Sequence, residues 1–81
     1  MYYVYILKSI NYHNKIYVGI TENLKERLTN HNKGSSEYTS KFKPWKLETY
    51  IAFNDKDLAD EFEKYLKSGS GRAFLNKRFL L

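Results

Sequence analysis

Cysteine is absent from this 81-residue chain, and proline and tryptophan each occur only once. Without cysteine, neither a disulfide framework nor a thiolate metal site can stabilise the fold, which is consistent with a reducing compartment. No run approaches the roughly 20 apolar residues that span a bilayer. No basic residue precedes the apolar segment 1–7, so a signal peptide is not expected. We therefore expect one domain over residues 1–81, soluble and cytoplasmic, with no membrane partner.

The charge is basic and unevenly placed along the chain, with a formal net value of +5. Lysine and arginine dominate residues 33–46 and 64–81, whereas the acidic residues concentrate at 55–63. This pattern, with a basic segment on either side of an acidic one, suits a protein that brings a polyanion to a metal site. An ordinary solvated surface is the alternative, and charge alone favours it.

Two aromatic and β-branched runs, residues 2–7 and 15–21, predict strands that are joined by a turn cluster at 9–14. They are expected to pair as an antiparallel hairpin. A register that places Tyr5 opposite Tyr17 puts both tyrosines on one face of the sheet and Gly19 opposite Tyr3.

A helix is expected to follow, with Asn23 as its N-cap and Glu26 three residues later in a box-like pattern. This helix has a stripe of residues that should face the core, and two of its members, Arg27 and His31, are polar. Burying a charge is costly unless it is paired, so both side chains are expected to enter a polar pocket at the sheet edge. The alternative is that Arg27 extends to solvent and His31 caps the helix end. The stripe at i, i+3, i+4 and i+7 consists of Leu24, Arg27, Leu28 and His31.

The second half of the chain predicts a lysine-rich loop over 35–44, a strand over 45–53 and a helix over 56–67 capped by Asn54 or Asp55. Gly69-Ser70-Gly71 should break that helix, and residues 72–80 favour a last helix over a strand. Alternation places on one face of the strand Trp45, Leu47, Thr49, Ile51 and Phe53. The apolar stripe of the 56–67 helix contains Leu58, Ala59, Phe62, Tyr65 and Leu66.

Two tyrosine tripeptides and one arginine resemble the signature of the GIY-YIG nuclease family. The tripeptides are Tyr3-Val4-Tyr5 and Tyr17-Val18-Gly19, and Arg27 follows eight residues after Gly19. The resemblance covers nearly the whole chain. It implies an α+β fold in which a three-stranded antiparallel sheet is flanked by helices, forming a single GIY-YIG-like nuclease domain.

The resemblance also assigns roles to residues of this chain. The functional tyrosines correspond to Tyr5 and Tyr17, the arginine to Arg27, and a histidine one helical turn further on to His31. The segment ADEFEKYLK identifies Glu63 as the metal ligand, with Glu61 as the rival one register away. A family asparagine corresponds most closely to Asn76. Tyr3 stands where the family name has glycine, and Ile20 stands where some branches carry lysine.

The implied function is that of a divalent-metal-dependent endonuclease that hydrolyses DNA phosphodiester bonds, in repair, recombination or mobile-element biology. Glu63 as a single carboxylate ligand suits Mg²⁺ or Mn²⁺, because such an ion keeps several waters and needs few protein ligands. Arg27 can grip the phosphate as charge develops. Tyr17 is the preferred base and Tyr5 the water-orienting partner, although the two could exchange roles, and His31 could accept the proton onward. A homodimer is a candidate arrangement for cutting both strands.

Contacts with DNA are expected mainly from the two basic segments, and no organic cofactor is expected because no phosphate-cradling glycine loop is present. Trp45 is expected in the core or at a base-stacking edge. A non-catalytic nucleic-acid-binding module with the same fold is the main alternative, and a protein-partner domain is a third. The candidate nucleic-acid-binding residues are Lys33, Tyr38, Thr39, Lys41, Lys43, Arg72 and Asn76.

Overall fold

A three-stranded antiparallel sheet with the strand order β2-β1-β3 forms the centre of the fold. The computed structural model describes residues 1–79, and residues 80 and 81 lie outside that range. Helices flank the sheet, so the expected α+β architecture is confirmed. Within residues 1–79, no helix is both long enough and apolar enough to cross a membrane. The elements are β1 (Tyr2–Ser9), β2 (Ile16–Thr21), α1 (Leu24–Lys33), α2 (Glu37–Lys41), β3 (Trp45–Phe53), α3 (Lys56–Lys67) and α4 (Gly69–Phe79).

Strand β1 is the central strand and is buried on both faces, because successive side chains point to opposite sides of a sheet. Val4 and Ile6 face one core, which α3 and α4 cover with residues such as Leu66. Tyr5 and Leu7 face a second core, which includes apolar residues of α1 and the Trp45 indole. The sheet therefore separates two small cores.

The β1–β2 register differs by two residues from the expected one. Tyr5 pairs with Gly19 and Leu7 pairs with Tyr17, so the predicted pairing of Tyr5 with Tyr17 was wrong. The turn fits the observed register, because the Ser9 amide donates to the Lys15 carbonyl at 3.0 Å and leaves residues 10–14 as the connection. A shift of two residues preserves the faces, so both tyrosines still lie on the same side.

A bulge in β3 overturns the expectation that its five alternating apolar residues share one face. Ile6 of β1 pairs with Thr49 and Leu7 with Leu47, which leaves Glu48 as an extra residue. Of the five residues, the two before the bulge, Trp45 and Leu47, consequently face the Tyr5 side of the sheet, and the three after it face the opposite side. Trp45 is therefore in the second core, as one of the two sequence-based interpretations expected.

Side-chain caps define the starts of the long helices as the sequence indicated. The Glu26 amide donates to the Asn23 side chain at 3.0 Å, and the Asp57 amide donates to Asp55 at 2.9 Å. Helix α3 begins and ends where it was predicted. Its buried stripe is narrower than expected, because Leu58 is 52% exposed and Tyr65 is 41% exposed.

The segment expected to be a loop over 35–44 contains the short helix α2. Its anchor is the Trp45 indole, whose Nε1 donates to the Thr39 carbonyl at 2.7 Å. The Asn32 side chain donates to the Trp45 carbonyl at 3.1 Å and accepts a hydrogen bond from the Trp45 amide. These tertiary contacts order a polar segment whose composition alone indicated no helix.

The predicted last helix is confirmed from residue 72 to Phe79, and residue 80 lies outside the described range. It begins earlier than expected, because Gly69-Ser70-Gly71 forms its first turn rather than a break. Ser68 caps that turn by accepting from the Gly71 amide at 3.2 Å. A β-carbon on Gly71 would overlap the Tyr65 carbonyl oxygen, so the missing side chain lets α4 pack directly on the end of α3.

Gly71→Ala should therefore destabilise the protein by on the order of 2 kcal/mol, because backbone of α3 stands where the methyl group must go. Gly69→Ala is the matched control in the same helical turn, since a β-carbon there has no neighbour within 4 Å. Urea unfolding of both variants measures the difference. Equal stability of the two variants would contradict the close approach of α4 to α3.

Candidate active site

The side chain of Tyr5 is the centre of a buried polar cluster, and it is only 1% exposed. Arg27 donates from Nε to the Tyr5 hydroxyl at 3.1 Å, and Nε2 of His31 lies 2.9 Å from the same oxygen. Arg27 and His31 are four residues apart on α1 and therefore share one face of the helix. Both side chains turn towards the sheet, as the polar-pocket interpretation of the helix stripe expected.

A second hydrogen bond fixes the His31 ring from its other side. Nδ1 of His31 lies 2.9 Å from the Thr39 hydroxyl, which is itself 3.4 Å from the Ser36 carbonyl. Each donor finds an acceptor when Thr39 donates to Ser36, His31 Nδ1 donates to Thr39, and the Tyr5 hydroxyl donates to His31 Nε2. The opposite direction would leave the buried Tyr5 proton without an acceptor among residues 1–79.

The electrostatics of the cluster keep its two buried members neutral at neutral pH. Burial raises the pKa of Tyr5 above its usual value of 10.0, even though the Arg27 hydrogen bond acts in the opposite direction. Burial and the nearby Arg27 charge lower the pKa of His31 to about 4. The hydrogen bond to Tyr5 raises the pKa of Arg27, which stays charged. Tyr5 consequently holds its proton more firmly than an ordinary tyrosine does.

Gly19 leaves the space that the Tyr5 ring occupies. A β-carbon built on Gly19 would overlap the Tyr5 hydroxyl, and it would lie 2.6 Å from Cζ of Tyr5 and 2.9 Å from Cε2 of Tyr17. The expected register placed this glycine opposite Tyr3, whereas it pairs with Tyr5. Because the glycine faces Tyr5 across the strands, it determines where the Tyr5 hydroxyl can lie.

Tyr17 lies at the open side of the cluster and is half-buried on the edge strand β2. Its ring centroid is 4.7 Å from that of His31 and 6.2 Å from that of Tyr5. Tyr38 of α2 lies next to it, with a centroid separation of 6.3 Å, and is 44% exposed. Tyr17 is thus more accessible than Tyr5 while touching the same cluster.

Helix α3 contributes a carboxylate to this side of the molecule. The Glu63 side chain is only 17% exposed, and Lys67 Nζ lies 2.7 Å from its Oε2 atom. The Glu63 charge is near enough to add to the upward shift in the pKa of Tyr5. Lys67 Nζ is also 6.0 Å from the centroid of the Tyr17 ring. Glu61 is exposed, so Glu63 is the carboxylate that the fold directs towards the tyrosines.

The donor set fits an ion that needs few protein ligands. Within residues 1–79, no group of three or more histidine, cysteine or acidic side chains is arranged to hold a metal ion. Mg²⁺ commonly binds through one or two carboxylates and completes its shell with waters and substrate phosphates. Glu63 satisfies that requirement, whereas a closed zinc site with four protein ligands does not fit.

The candidate nucleic-acid-binding residues divide into four groups. Thr39 is 0% exposed and its hydroxyl contacts His31, so the expected phosphate contact is not available and Thr39 instead orients the histidine. Tyr38 lies at the rim of the cluster. Arg72 and Asn76 are exposed on α4, and neither forms a side-chain hydrogen bond with the cluster within the described part of the chain. The remaining candidates, Lys33, Lys41 and Lys43, are exposed lysines of the basic segment.

The reasoning from sequence missed one participant, Lys67, and gave Thr39 a different role. Lys67 could have been found, because it follows Glu63 by four residues on a helix, the spacing at which opposite charges meet. Thr39 gave no comparable signal, since its contact with His31 depends on how α2 packs beneath Trp45.

The fold and this cluster define a small domain of the GIY-YIG type, and a family comparison agrees. The model of the GIY-YIG catalytic domain matches residues 1–78. The chain therefore belongs to the GIY-YIG family.

Similar proteins include a UPF0213 protein of Clostridium perfringens, 40% identical over 68 residues that cover 83% of this chain and 71% of that protein. A structure-specific endonuclease subunit SLX1 homolog of Drosophila mojavensis is 39% identical over 76% of this chain. This match spans only 23% of the length of the fly protein. The solution NMR structure of a UPF0213 protein from Bacillus halodurans superposes with a TM-score of 0.56 at 30% identity, covering 95% of this chain and 84% of that one.

The lowered pKa of His31 predicts a pH-dependent stability. Because the folded-state pKa of about 4 lies below the usual histidine value of 6.5, the unfolded chain takes up a proton first. The stability that neutral, buried His31 contributes to the folded protein is fully present above about pH 6.5 and is lost as the pH falls towards 4. Between pH 7 and pH 4 the loss should be on the order of 2 kcal/mol.

Urea unfolding from pH 4 to 7.5 tests this for the unchanged protein and for His31→Gln, which should lack that part of the pH dependence. His13→Gln, in the exposed β1–β2 turn, controls for the loss of a histidine. Identical pH profiles for the unchanged protein and His31→Gln would rule out a neutral, buried His31.

Proposed function

We propose that this protein is a divalent-metal-dependent endonuclease that hydrolyses phosphodiester bonds in DNA. The observation that carries the proposal is the convergence of Arg27 and His31 on the buried Tyr5 hydroxyl. Glu63 and Tyr17 lie beside that convergence, and all five residues are those that the family resemblance assigns to the reaction. Membership of the GIY-YIG family supports the nuclease chemistry.

Arg27 is suited to stabilise the charge that develops on the phosphate. Its Nε atom is engaged by Tyr5, which fixes the plane of the guanidinium group. Tyr17 is a further hydrogen-bonding neighbour that raises the pKa of Arg27. The guanidinium has more N–H donors than these two tyrosines engage, so donors remain to bind phosphate oxygens. Preorganised donors of this kind stabilise a transition state without having to reorganise during the reaction.

Tyr17 is the proposed base, and Tyr5 and His31 position the groups around it. The raised pKa of Tyr5 keeps its hydroxyl protonated, and that proton is donated to His31, so Tyr5 is not available to accept a proton. A pKa of about 4 also makes His31 a weak onward acceptor, so we assign it to holding Tyr5. Mg²⁺ or Mn²⁺ bound by Glu63 supplies the positive charge that polarises the phosphate and acidifies neighbouring groups.

Structured or branched DNA is the substrate class that we favour. The name of the fly relative describes a structure-specific endonuclease subunit, which supports a role in repair or recombination. The exposed lysines on α1 and around α2 provide cations for the DNA backbone next to Tyr38 and Tyr17. A homodimer is the arrangement we propose where both strands are to be cut, because one such site attacks one phosphodiester.

The direct test is incubation of the purified protein with supercoiled, branched and single-stranded DNA, each with and without Mg²⁺ or Mn²⁺. We expect nicking that requires the ion and EDTA-sensitive loss of supercoils. Salt-dependent DNA binding without nicking would instead indicate a non-catalytic nucleic-acid-binding module. No binding at low salt would indicate a protein-partner domain.

Glu63→Gln should abolish the metal-dependent nicking, because it removes the charge that binds the ion but changes the side-chain volume very little. Glu61→Gln is the matched control on the same helix and should retain nicking, since Glu61 is exposed. Nicking rates, DNA affinity and thermal melts are measured for both variants. Loss of nicking in Glu61→Gln alone would move the metal ligand to Glu61.

Tyr17→Phe should lower the nicking rate by about a hundred-fold or more at unchanged stability, because a general base contributes roughly 10²–10⁴-fold. Tyr5→Phe should also cost about 1–3 kcal/mol of stability, since its hydroxyl satisfies buried groups of Arg27 and His31. Single-turnover rates and urea unfolding separate the two effects. Full activity in a well-folded Tyr17→Phe protein would eliminate Tyr17 as the base.

A further inference from the structure

Lys67 occupies a position that neither the family resemblance nor the reaction accounts for. Its ammonium lies 2.7 Å from Glu63 Oε2, although the lysine side chain is 48% exposed and could extend freely into water. The Glu63 side chain is much less accessible, at 17% exposed. The lysine thus covers the carboxylate that is proposed to bind the metal ion.

A divalent ion and this ammonium compete for the same oxygen. A Mg²⁺ ligand oxygen lies about 2.0–2.1 Å from the ion, so an ion on Oε2 and an ammonium at 2.7 Å from Oε2 would be close neighbours of like charge. Repulsion at that separation is strong where solvent is limited. Ion binding to Oε2 therefore favours release of the lysine from Glu63.

The structure also provides a place for the displaced ammonium. Lys67 Nζ is already 6.0 Å from the centroid of the Tyr17 ring, within the range in which an aromatic face attracts a cation. The four-carbon side chain can swing towards this ring by bond rotations alone. The charge then remains beside Tyr17 at the open side of the cluster, where a phosphate would approach.

We propose that Lys67 is an internal counter-ion that holds Glu63 until a divalent metal ion displaces it. The inference rests on the proposed function, because it takes Glu63 as the ligand of the ion. In this proposal Lys67 sets the metal affinity of the site. The lysine stabilises the Glu63 carboxylate in the ion-free protein and weakens ion binding by competition.

Mn²⁺ binding to the protein alone, followed by the electron paramagnetic resonance signal of the free ion, tests the proposal without DNA or catalysis. Lys67→Met should bind Mn²⁺ about three- to ten-fold more tightly than the unchanged protein, because the competing ion pair is gone. Lys67→Arg should restore nearly the original affinity, since it can pair with Glu63 again.

Lys64→Met is the matched control, because it removes the same charge from an exposed position next to Glu63 in sequence. If Lys64→Met and Lys67→Met increase the Mn²⁺ affinity by the same factor, the change in net charge explains the effect and the proposal is overturned. So would an unchanged Mn²⁺ affinity in Lys67→Met, or no Glu63-dependent binding in any variant.

Glu63→Gln separates this inference from the proposed function. If Mn²⁺ binding depends on Glu63 but is insensitive to Lys67, only the counter-ion role fails. If Glu63→Gln binds Mn²⁺ as the unchanged protein does, the metal assignment itself fails. Thermal melts of every variant confirm that folded proteins are being compared.

Discussion

The contact between the Tyr5 ring and the bare backbone of Gly19 constrains most of what surrounds it. Any β-carbon at residue 19 would overlap the Tyr5 hydroxyl, so this pairing sets both the register of the hairpin and the depth of the hydroxyl. Once the hydroxyl is buried it needs partners, and Arg27 and His31 supply them from one face of α1. The position of α1 on the sheet thus follows from a polar requirement as much as from apolar packing.

The cluster separates neutral groups from charged ones. Tyr5 and His31 are buried and uncharged at neutral pH, and they position side chains without attracting ions of their own. The charged groups Arg27 and Glu63 lie towards the more open side, where Tyr17 is also found. This arrangement lets the site meet a polyanion and a cation while the interior bears no unpaired charge.

Sequence patterns predicted the parts of the fold that local chemistry determines. The N-cap of Asn23 and the limits of α3 followed from residue types alone. The inward turn of Arg27 and His31 was one of the two interpretations that the helix stripe left open. The hairpin register and the bulge at Glu48 did not, because both depend on pairing between strands. Likewise α2 could not be anticipated, since its order comes from the Trp45 indole rather than from its own composition.

Strand β3 has a further consequence through its bulge. Because the extra residue reverses the direction of the side chains, Trp45 packs with Tyr5 on one side of the sheet while Phe53 packs with Phe62 on the other. One strand therefore belongs to both cores and links them mechanically. Unfolding of one core would disrupt the strand that the other core needs. This 81-residue chain with two small cores should therefore melt in a single cooperative transition.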